Sequence, residues 1–298
     1  MNFRGLAKIA TAALGLGLLA SACSSTSTTS SPANAAPASP PPAIMPYLGQ
    51  LRAGTQIAST VPADGDVNPY GVAVVPSSAG QLVAGDILVS NFNDKANVQG
   101  TGTTVVQVSP AGRASLFADI TALPAGMSCP GGVGLTTALG VLPGGWVVVG
   151  SLPTIAGGAL PSLDPAGCLI VLNDQGTPVE TITSKDIADP WDMTVSSSAT
   201  SAELFVSNAL GGNTSTVHGV PVTGNCTVVR LDLSLSPSAP PRLASSTVIG
   251  TGYPWRADKA ALILAPTGLL FGIITTQAGN LLAVNDGTNA LEEFRFRG

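Results

Sequence analysis

The chain has 298 residues, of which 45% are hydrophobic, 10% are charged and 4% are aromatic, with 35 glycines and 24 prolines. The formal net charge of -5 and the total of 12 Lys and Arg argue against nucleic acid as a partner. A composition rich in Gly and Pro but poor in charge indicates many short strands joined by tight turns.

Residues 1–22 have the features of a bacterial lipoprotein signal peptide. Arg4 and Lys8 supply a short positive region, and the apolar stretch at 9–20 is too short to span a bilayer comfortably. The motif Leu-Ala-Ser-Ala that precedes Cys23 resembles a lipobox, after which the cysteine carries palmitate and related acyl chains. An ordinary secretory signal cleaved at the same place is the alternative.

Residues 23–43 are predicted to form a flexible tether. Positions 24–31 are all Ser or Thr, and Pro- and Ala-rich sequence follows, so this stretch has too little apolar surface to offset the entropy of ordering. We therefore expect a lipid-anchored protein on the extracytoplasmic side of the cell envelope, held there by its acyl chains. In a Gram-negative cell, Ser24 would direct it to the outer membrane.

Residues 44–298 are predicted to form one all-β domain, because the same order of strands repeats four times. The predicted first strands are 69–74, 130–135, 190–195 and 266–271, and the second strands are 86–91, 146–151, 203–208 and 280–285. The predicted third strands are 104–108, 168–172, 227–231 and 290–296, and the fourth strands are 114–120, 178–183 and 243–249.

Four antiparallel strands per unit are typical of the blades of a β-propeller. Four units are visible, and the total number of blades is left open. The last unit lacks its fourth strand, so we expect residues 56–61 to supply an N-terminal strand that closes the last blade. A β-sandwich or an irregular all-β domain is the alternative.

Two segments that follow second strands, Val89-Ser90-Asn91-Phe92-Asn93 and Val284-Asn285-Asp286-Gly287-Thr288-Asn289, resemble a known repeat. They are similar to the NHL-repeat family of β-propellers, whose repeats begin Pro-x-Gly-Val-Ala and continue to a strand ending Val-Ala-Asp-x-x-Asn. The resemblance covers about residues 56–296 and implies a propeller fold.

Three cysteines remain once Cys23 is lipidated. An oxidising compartment then allows one disulfide and leaves one thiol. Cys129 and Cys168 are predicted to lie on one face, where their bond would fasten the loop at 152–167, while a bond between Cys168 and Cys226 is the competing assignment. None of these cysteines has the Cys-x-x-Cys spacing of a redox or zinc site, and the chain contains a single His.

In a propeller, the links between blades and the loops between second and third strands share one face. These loops are long here and rich in Gly, Asn and Thr, which predicts a binding surface. The candidate residues on it are Tyr70, Asn93, Asp94, Trp191, Asp192, Trp255 and Arg256.

A structural role is the competing interpretation for each of these residue types. Asn and Asp at strand ends often cap turns, and this applies also to Asn91, Asn208 and Asn285. The two tryptophans would pack between blades, and Arg256 would form a surface salt bridge with Asp258.

The sequence favours a binding or interaction module without catalytic activity, cofactor or metal, whose ligand is a small molecule, a glycan or a protein. Gly-x-Ser-x-Gly and Walker motifs are absent, and a Ser-His-Asp triad would have to use His218. The alternative is a metal-dependent propeller hydrolase or lactonase that holds a divalent cation such as calcium with acids such as Asp94, Asp192 and Asp286. A scaffold for envelope assembly is a third hypothesis.

Overall fold

The structure, a computed structural model, describes residues 54–152, 167–210, 213–217, 220–258, 261–272, 280–285 and 290–294. These residues form antiparallel β-sheets without any helix, and all their strands belong to the unit Thr55–Gly298. No helix long and apolar enough to cross a membrane occurs among them.

The first two sheets have four strands each, ordered as in the sequence. The first sheet contains β1 (Val67–Val74), β2 (Ile87–Asn93), β3 (Thr104–Val108) and β4 (Ala114–Asp119). The second sheet contains β5 (Leu135–Leu142), β6 (Trp146–Ser151), β7 (Cys168–Leu172) and β8 (Pro178–Ile182).

The third sheet is larger, and the fourth has three strands. The third contains β9 (Pro190–Ser197), β10 (Ser201–Asn208), β11 (Asn213–Val217), β12 (Val220–Ser236), β13 (Ala239–Asp258) and β14 (Leu262–Leu264). Its path runs β9-β10-β12-β13-β14, and β11 pairs with β12 beside that path. The fourth contains β15 (Pro266–Gly272), β16 (Asn280–Asn285) and β17 (Ala290–Phe294).

Neighbouring sheets pack face to face, and their buried side chains are mostly aliphatic. Leu88 of the first sheet and Val147 of the second share one cluster, while Val148 of the second and Leu204 of the third share another. Adjacent side chains on a strand point to opposite faces, so Val147 and Val148 show that both faces of the second sheet are buried. The first strands of the four sheets, called the inner strands below, contact one another in the order β1, β5, β9 and β15. This stacking is consistent with propeller blades, although no closed ring is formed by the described residues.

Two predictions about strands are wrong. The second unit was expected to begin with a turn and a strand within 130–135. Residues 129–132 do form a turn, in which the Gly132 amide donates to the Cys129 carbonyl at 2.9 Å, but residues 132–134 do not belong to a strand. Gly132 has φ of +92°, a conformation that suits glycine and interrupts a strand, so β5 begins only at Leu135.

The other wrong prediction is the N-terminal strand at 56–61. This segment forms no ladder; it crosses the first sheet, where Ala58 packs on buried valines and the Thr60 carbonyl accepts a hydrogen bond from Asn91 Nδ2 at 2.9 Å. Its side chains and carbonyls therefore fasten it to the first sheet instead of the last. The fourth sheet keeps three described strands.

Candidate functional site

The repeated proline at the start of the first strand precedes a β-bulge in three sheets. In the first sheet Pro69 faces Asn91 and Gly71 faces Ser90, so Tyr70 has no opposite residue. Trp191 is bulged in the same way in the third sheet, and Thr267 in the fourth. Because a bulge redirects the extra side chain, the repeat places the residue after the proline at an equivalent position in each of these three sheets.

A serine in the second strand of the sheet holds each aromatic bulge. Ser90 Oγ accepts a hydrogen bond from the Gly71 amide, and Ser207 Oγ accepts one from the Asp192 amide, both at 3.1 Å. These amides directly follow the bulged residues. At position 71 a Cβ would lie 2.7 Å from the Thr137 carbonyl oxygen, so glycine allows β1 to approach β5 closely.

The asparagine that follows each serine connects three segments of its own sheet. Asn208 Nδ2 donates to Thr227 Oγ1 at 2.9 Å and to the Asp186 carbonyl at 2.8 Å, while its Oδ1 accepts from the Ala188 and Asp189 amides at 3.1 Å. Asn91 makes the corresponding two hydrogen bonds through its Nδ2. Its Nδ2 donates to Thr104 Oγ1 at 3.0 Å and to the Thr60 carbonyl. These asparagines therefore have a structural role at strand ends.

The bulged Trp191 belongs to a buried cluster, called the axial cluster below, that gathers side chains from several parts of the domain. Its residues include Phe92 from the first sheet, Leu152 after the second, Trp191 from the third and Leu269 from the fourth. Phe92 and Trp191 are 2% and 1% exposed. Residues from the first, third and fourth sheets, and Leu152 directly after the second, thus meet in one cluster.

Tyr70 lies at the edge of the axial cluster and is the one aromatic residue there that is substantially exposed, at 37%. Its ring stacks on Phe92 with centroids 4.8 Å apart and meets Trp191 edge to face at 6.1 Å. Offset and edge-to-face geometries are those that aromatic pairs prefer. The accessible Tyr70 ring is therefore held on a rigid aromatic base, at a surface that a ligand can reach.

Asp192 connects the inner strands of three sheets. Its Oδ2 accepts a hydrogen bond from the Leu269 amide of β15 at 2.7 Å. The Thr137 hydroxyl of β5, whose closer acceptor is the Trp191 carbonyl, lies 3.3 Å from its Oδ1. Burial raises the pKa of Asp192 to about 6, although these hydrogen bonds oppose the rise. The carboxyl group thus acts as a cross-link between sheets.

Asp189 and the free thiol of Cys226 form a second buried pair of ionisable groups. Asp189 is 4% exposed and Cys226 is 0% exposed. Burial raises the pKa of Asp189 to about 7, and burial together with the nearby Asp189 charge raises the pKa of the Cys226 thiol. A buried thiol with a raised pKa is a poor nucleophile, which argues against a catalytic cysteine at this position.

Cys129 and Cys168 form a disulfide with Cα atoms 5.4 Å apart, which is the pairing favoured from the sequence. Cys168 pairs with Ser151 at the end of β6, so the bond fastens the base of the loop that follows this strand. The loop residues 153–166 themselves lie outside the described residues.

The other candidates from the sequence have structural partners. Asn93 is 3% exposed and hydrogen bonds to Asn68 and Asn97, and Asp94 Oδ1 accepts from the amides of Ala96 and Val98 in its own loop. Trp255 packs partly buried against the axial cluster. Arg256 forms an ion pair with Asp258 at 2.8 Å. The structure therefore brings Tyr70, Trp191, Asp192 and Trp255 to one cluster, while Asn93, Asp94 and Arg256 serve local contacts.

Within the described ranges, no group of three or more His, Cys, Asp and Glu side chains is arranged to hold a metal ion. Asp94 accepts hydrogen bonds within its own loop, and Asp192 connects inner strands. These contacts direct neither carboxylate toward a shared ion. Asp286, one of the acids considered for the hydrolase alternative, and His218, which a Ser-His-Asp triad would have to use, lie outside the described residues, as does Cys23.

Two residues of this site were missed from the sequence. Phe92 directly follows the Ser-Asn pair of β2, and that position could have drawn attention to it. Thr137 carries no such signal, because it lies in β5, whose start was assigned to the wrong residues. Its partnership with Asp192 depends on contact between different sheets.

No protein-family model matches this chain, and no curated protein matches it. Among solved structures, it is similar to dihydro-heme d1 dehydrogenase NirN in complex with DHE, at 16% identity and a TM-score of 0.23. That match covers 77% of this chain and 48% of the other, so the chain spans about half the length of that protein. A likeness at this TM-score carries no argument about ligand or activity.

Proposed function

We propose that this chain is a lipid-anchored envelope protein whose β-propeller domain binds a ligand at the end of the inner strands, around Tyr70. The observation that carries this proposal is the repeated Pro-aromatic bulge. It brings Tyr70 and Trp191 from different sheets to within 6.1 Å and leaves the Tyr70 ring 37% exposed. Exposed, rigidly held aromatic rings are frequent anchors of binding surfaces.

The propeller assignment is supported by two sheets of four strands in chain order, and by polar contacts that recur in the first and third sheets. The Ser-Asn pairs at 90–91 and 207–208 make equivalent hydrogen bonds in two different sheets. Such repetition is expected of blades around a common axis. The NHL-like motifs point to the same architecture.

The ligand class follows from the chemistry of the exposed ring. An aromatic face above a buried apolar cluster favours the flat apolar side of a sugar ring or of a small planar molecule. The hydrolase alternative needs several oxygen ligands converging on one ion, and no contact of the described carboxylates favours it.

A binding screen of the purified protein would test this site. Cell-wall glycan fragments and planar small molecules would be added while the tryptophan emission is followed, because Trp191 contacts Tyr70. Tyr70→Ala should abolish the binding of any hit, whereas Val83→Ala, which alters an exposed residue outside the cluster, should leave binding unchanged. Hits whose affinity is the same in Tyr70→Ala would rule the site out.

The anchoring proposal has a separate test. Cys23→Ala should abolish acylation and move the protein from the membrane fraction to the soluble fraction. Membrane association that persists in this variant without acylation would contradict the lipid anchor, and it would leave the binding proposal untouched.

A further inference from the structure

The exposed ring of Tyr70 and the carboxyl group of Asp192 border the same residue of the second sheet. A Cβ at Gly71, directly after Tyr70, would lie 2.7 Å from the Thr137 carbonyl oxygen, so β1 runs against β5 at this point. The Thr137 hydroxyl lies 3.3 Å from Asp192 Oδ1. Trp191, directly before Asp192, meets the Tyr70 ring edge to face. The ring and the carboxyl group are therefore neighbours at the ends of the inner strands.

Asp192 is only partly buried, and its carboxyl group keeps room for a further hydrogen-bond donor. A carboxylate has about four acceptor positions. The backbone amides of Leu269 and Met193 donate to it, and the single proton of the Thr137 hydroxyl goes to the closer Trp191 carbonyl. Part of its acceptor capacity is therefore not used by the described residues and is open to a ligand.

The charge of Asp192 is not balanced by a described Lys or Arg side chain. Arg256, whose neighbour Trp255 packs against the axial cluster, is paired with Asp258. Burial raises the pKa of Asp192 to about 6, so at pH 7.5 the group is ionised in a partly buried place. Because a desolvated charge without a partner is unfavourable, this carboxylate favours a ligand that brings a positive charge.

The aromatic part of the site favours the same charge. A cation within about 6 Å of a ring centroid is attracted by the negative face of the ring, and ammonium ligands are recognised in this way. The Tyr70 ring is 37% exposed, and its stacking on Phe92 at 4.8 Å fixes its direction. An ammonium group beside Tyr70 would gain both the attraction of the ring and that of the Asp192 charge, whereas a neutral molecule would gain neither.

We propose that the ligand of the site around Tyr70 carries a primary ammonium group, which lies against the Tyr70 ring and donates a hydrogen bond to the Asp192 carboxylate. This inference rests on the proposed binding site and specifies its ligand class, an organic amine whose apolar or planar part packs beside the ring. A primary ammonium group fits better than a quaternary one, because only the primary group donates hydrogen bonds to a carboxylate. Asp192 then connects inner strands through Oδ2 and selects the ligand by its charge.

Matched ligands test this inference on the full chain carrying Cys23→Ala. Benzylamine, benzyltrimethylammonium and benzyl alcohol share one ring and differ in the polar group, and calorimetric titration at pH 7.5 measures their binding. Benzylamine should bind about 10-fold more tightly than benzyl alcohol, with the quaternary compound between them.

The pH dependence of binding in the natural domain needs no substitution at the site. Lowering the pH to 5 should weaken benzylamine binding by about 10-fold, because Asp192 then takes up a proton, and should leave benzyl alcohol binding unchanged. Thr137 and Leu269, which approach this carboxyl group from β5 and β15, carry no group that titrates in this range. The buried Asp189, three residues before Asp192, also titrates in this range, and a variant separates its effect.

Variants distinguish the ligand class from the site itself. Asp192→Asn keeps an oxygen acceptor for the Leu269 amide but loses the charge, so it should reduce the preference for benzylamine to less than about 3-fold. Circular dichroism checks its fold. Asp189→Asn alters the buried carboxyl group beside Cys226 and should keep both the preference and its pH dependence. Tyr70→Ala should abolish the binding of all three compounds.

The outcomes separate the two proposals. Equal affinities for benzylamine and benzyl alcohol, both lost in Tyr70→Ala, would overturn the amine class and keep the binding site. Neutral hits that depend on Tyr70, without binding of benzylamine at millimolar concentration, would have the same meaning. Benzylamine binding that Tyr70→Ala and Asp192→Asn both leave unchanged would overturn the site as well, and so would the absence of any compound whose binding depends on Tyr70.

Discussion

The Asp192 carboxylate accepts the backbone amide of Leu269 at 2.7 Å, which connects β9 of the third sheet to β15 of the fourth. The Thr137 hydroxyl of β5, in the second sheet, donates to the adjacent Trp191 carbonyl and lies 3.3 Å from the same carboxyl group. One side chain thus connects the inner strands of three sheets. Its position after the bulged Trp191 is set by the local Pro-x-Asp sequence.

Removing this cross-link should destabilise the domain. Asp192→Ala is expected to lower the free energy of unfolding by about 2–3 kcal/mol, because the Leu269 amide loses its acceptor in a partly buried place. Urea denaturation monitored by tryptophan fluorescence measures the effect. The control Asp64→Ala alters an exposed carboxylate and should change stability by less than about 0.5 kcal/mol. Equal effects of the two substitutions would contradict the cross-link.

The two strand-end asparagines should differ in their contribution to stability. Asn208 makes four hydrogen bonds and Asn91 makes two, since Asn91 Oδ1 is buried without a described partner. We expect Asn208→Ala to cost about 3 kcal/mol and Asn91→Ala about half as much. Thr251→Ala, which removes one exposed hydrogen bond, is the control. A larger loss for Asn91→Ala in denaturant titrations would show that these contacts do not determine stability.

Much of the strand order could be predicted from the sequence, because short apolar runs are separated by Gly, Pro, Asn and Asp. The start of β5 could not, because Thr136 and Thr137 are polar residues in a strand that is buried by contacts with other sheets. The segment at 56–61 reads as a strand by its alternating pattern, yet it packs through side chains without forming a ladder.

The candidate site was predictable only where local sequence determines it. Tyr70 and Trp191 stand at equivalent positions after repeated prolines, so their common location follows from the repeat. Asp192 was selected as a surface acid, but its role as a cross-link depends on Leu269, seventy-seven residues away. Burial and long-range partners of this kind are set by tertiary packing and carry no local signal.

The cysteines should behave unequally. The disulfide between Cys129 and Cys168 closes a separation of 39 residues, so replacing both with Ala should cost about 2–4 kcal/mol and lower Tm in calorimetry. Cys226→Ala removes no such bond and is the control. Peptide mapping should find Cys226 as the free thiol, unreactive toward alkylation until the protein unfolds, because it is buried. Rapid alkylation of Cys226 in the native protein would contradict this assignment.

The buried carboxyl groups predict an unusual dependence of stability on pH. Burial raises the pKa of Asp189 to about 7 and that of Asp192 to about 6, whereas both are near 3.9 in the unfolded chain. Between about pH 4 and pH 7 the folded state therefore binds more protons than the unfolded state. The free energy of unfolding must then fall as the pH rises. The contribution of the two protonated carboxyl groups to the free energy of unfolding is fully present below about pH 4 and is lost by about pH 7.

Urea titrations at pH 5 and pH 7.5 should reveal a loss of about 4 kcal/mol at the higher pH. Asp189→Asn cannot ionise, so it should be more stable than the natural chain at pH 7.5, and its stability should depend less on pH. Asp64→Asn, at an exposed position, should keep the pH dependence of the natural chain. Stability that rises between pH 5 and pH 7.5, or a slope that Asp189→Asn leaves unchanged, would show that Asp189 is not held protonated in the folded domain.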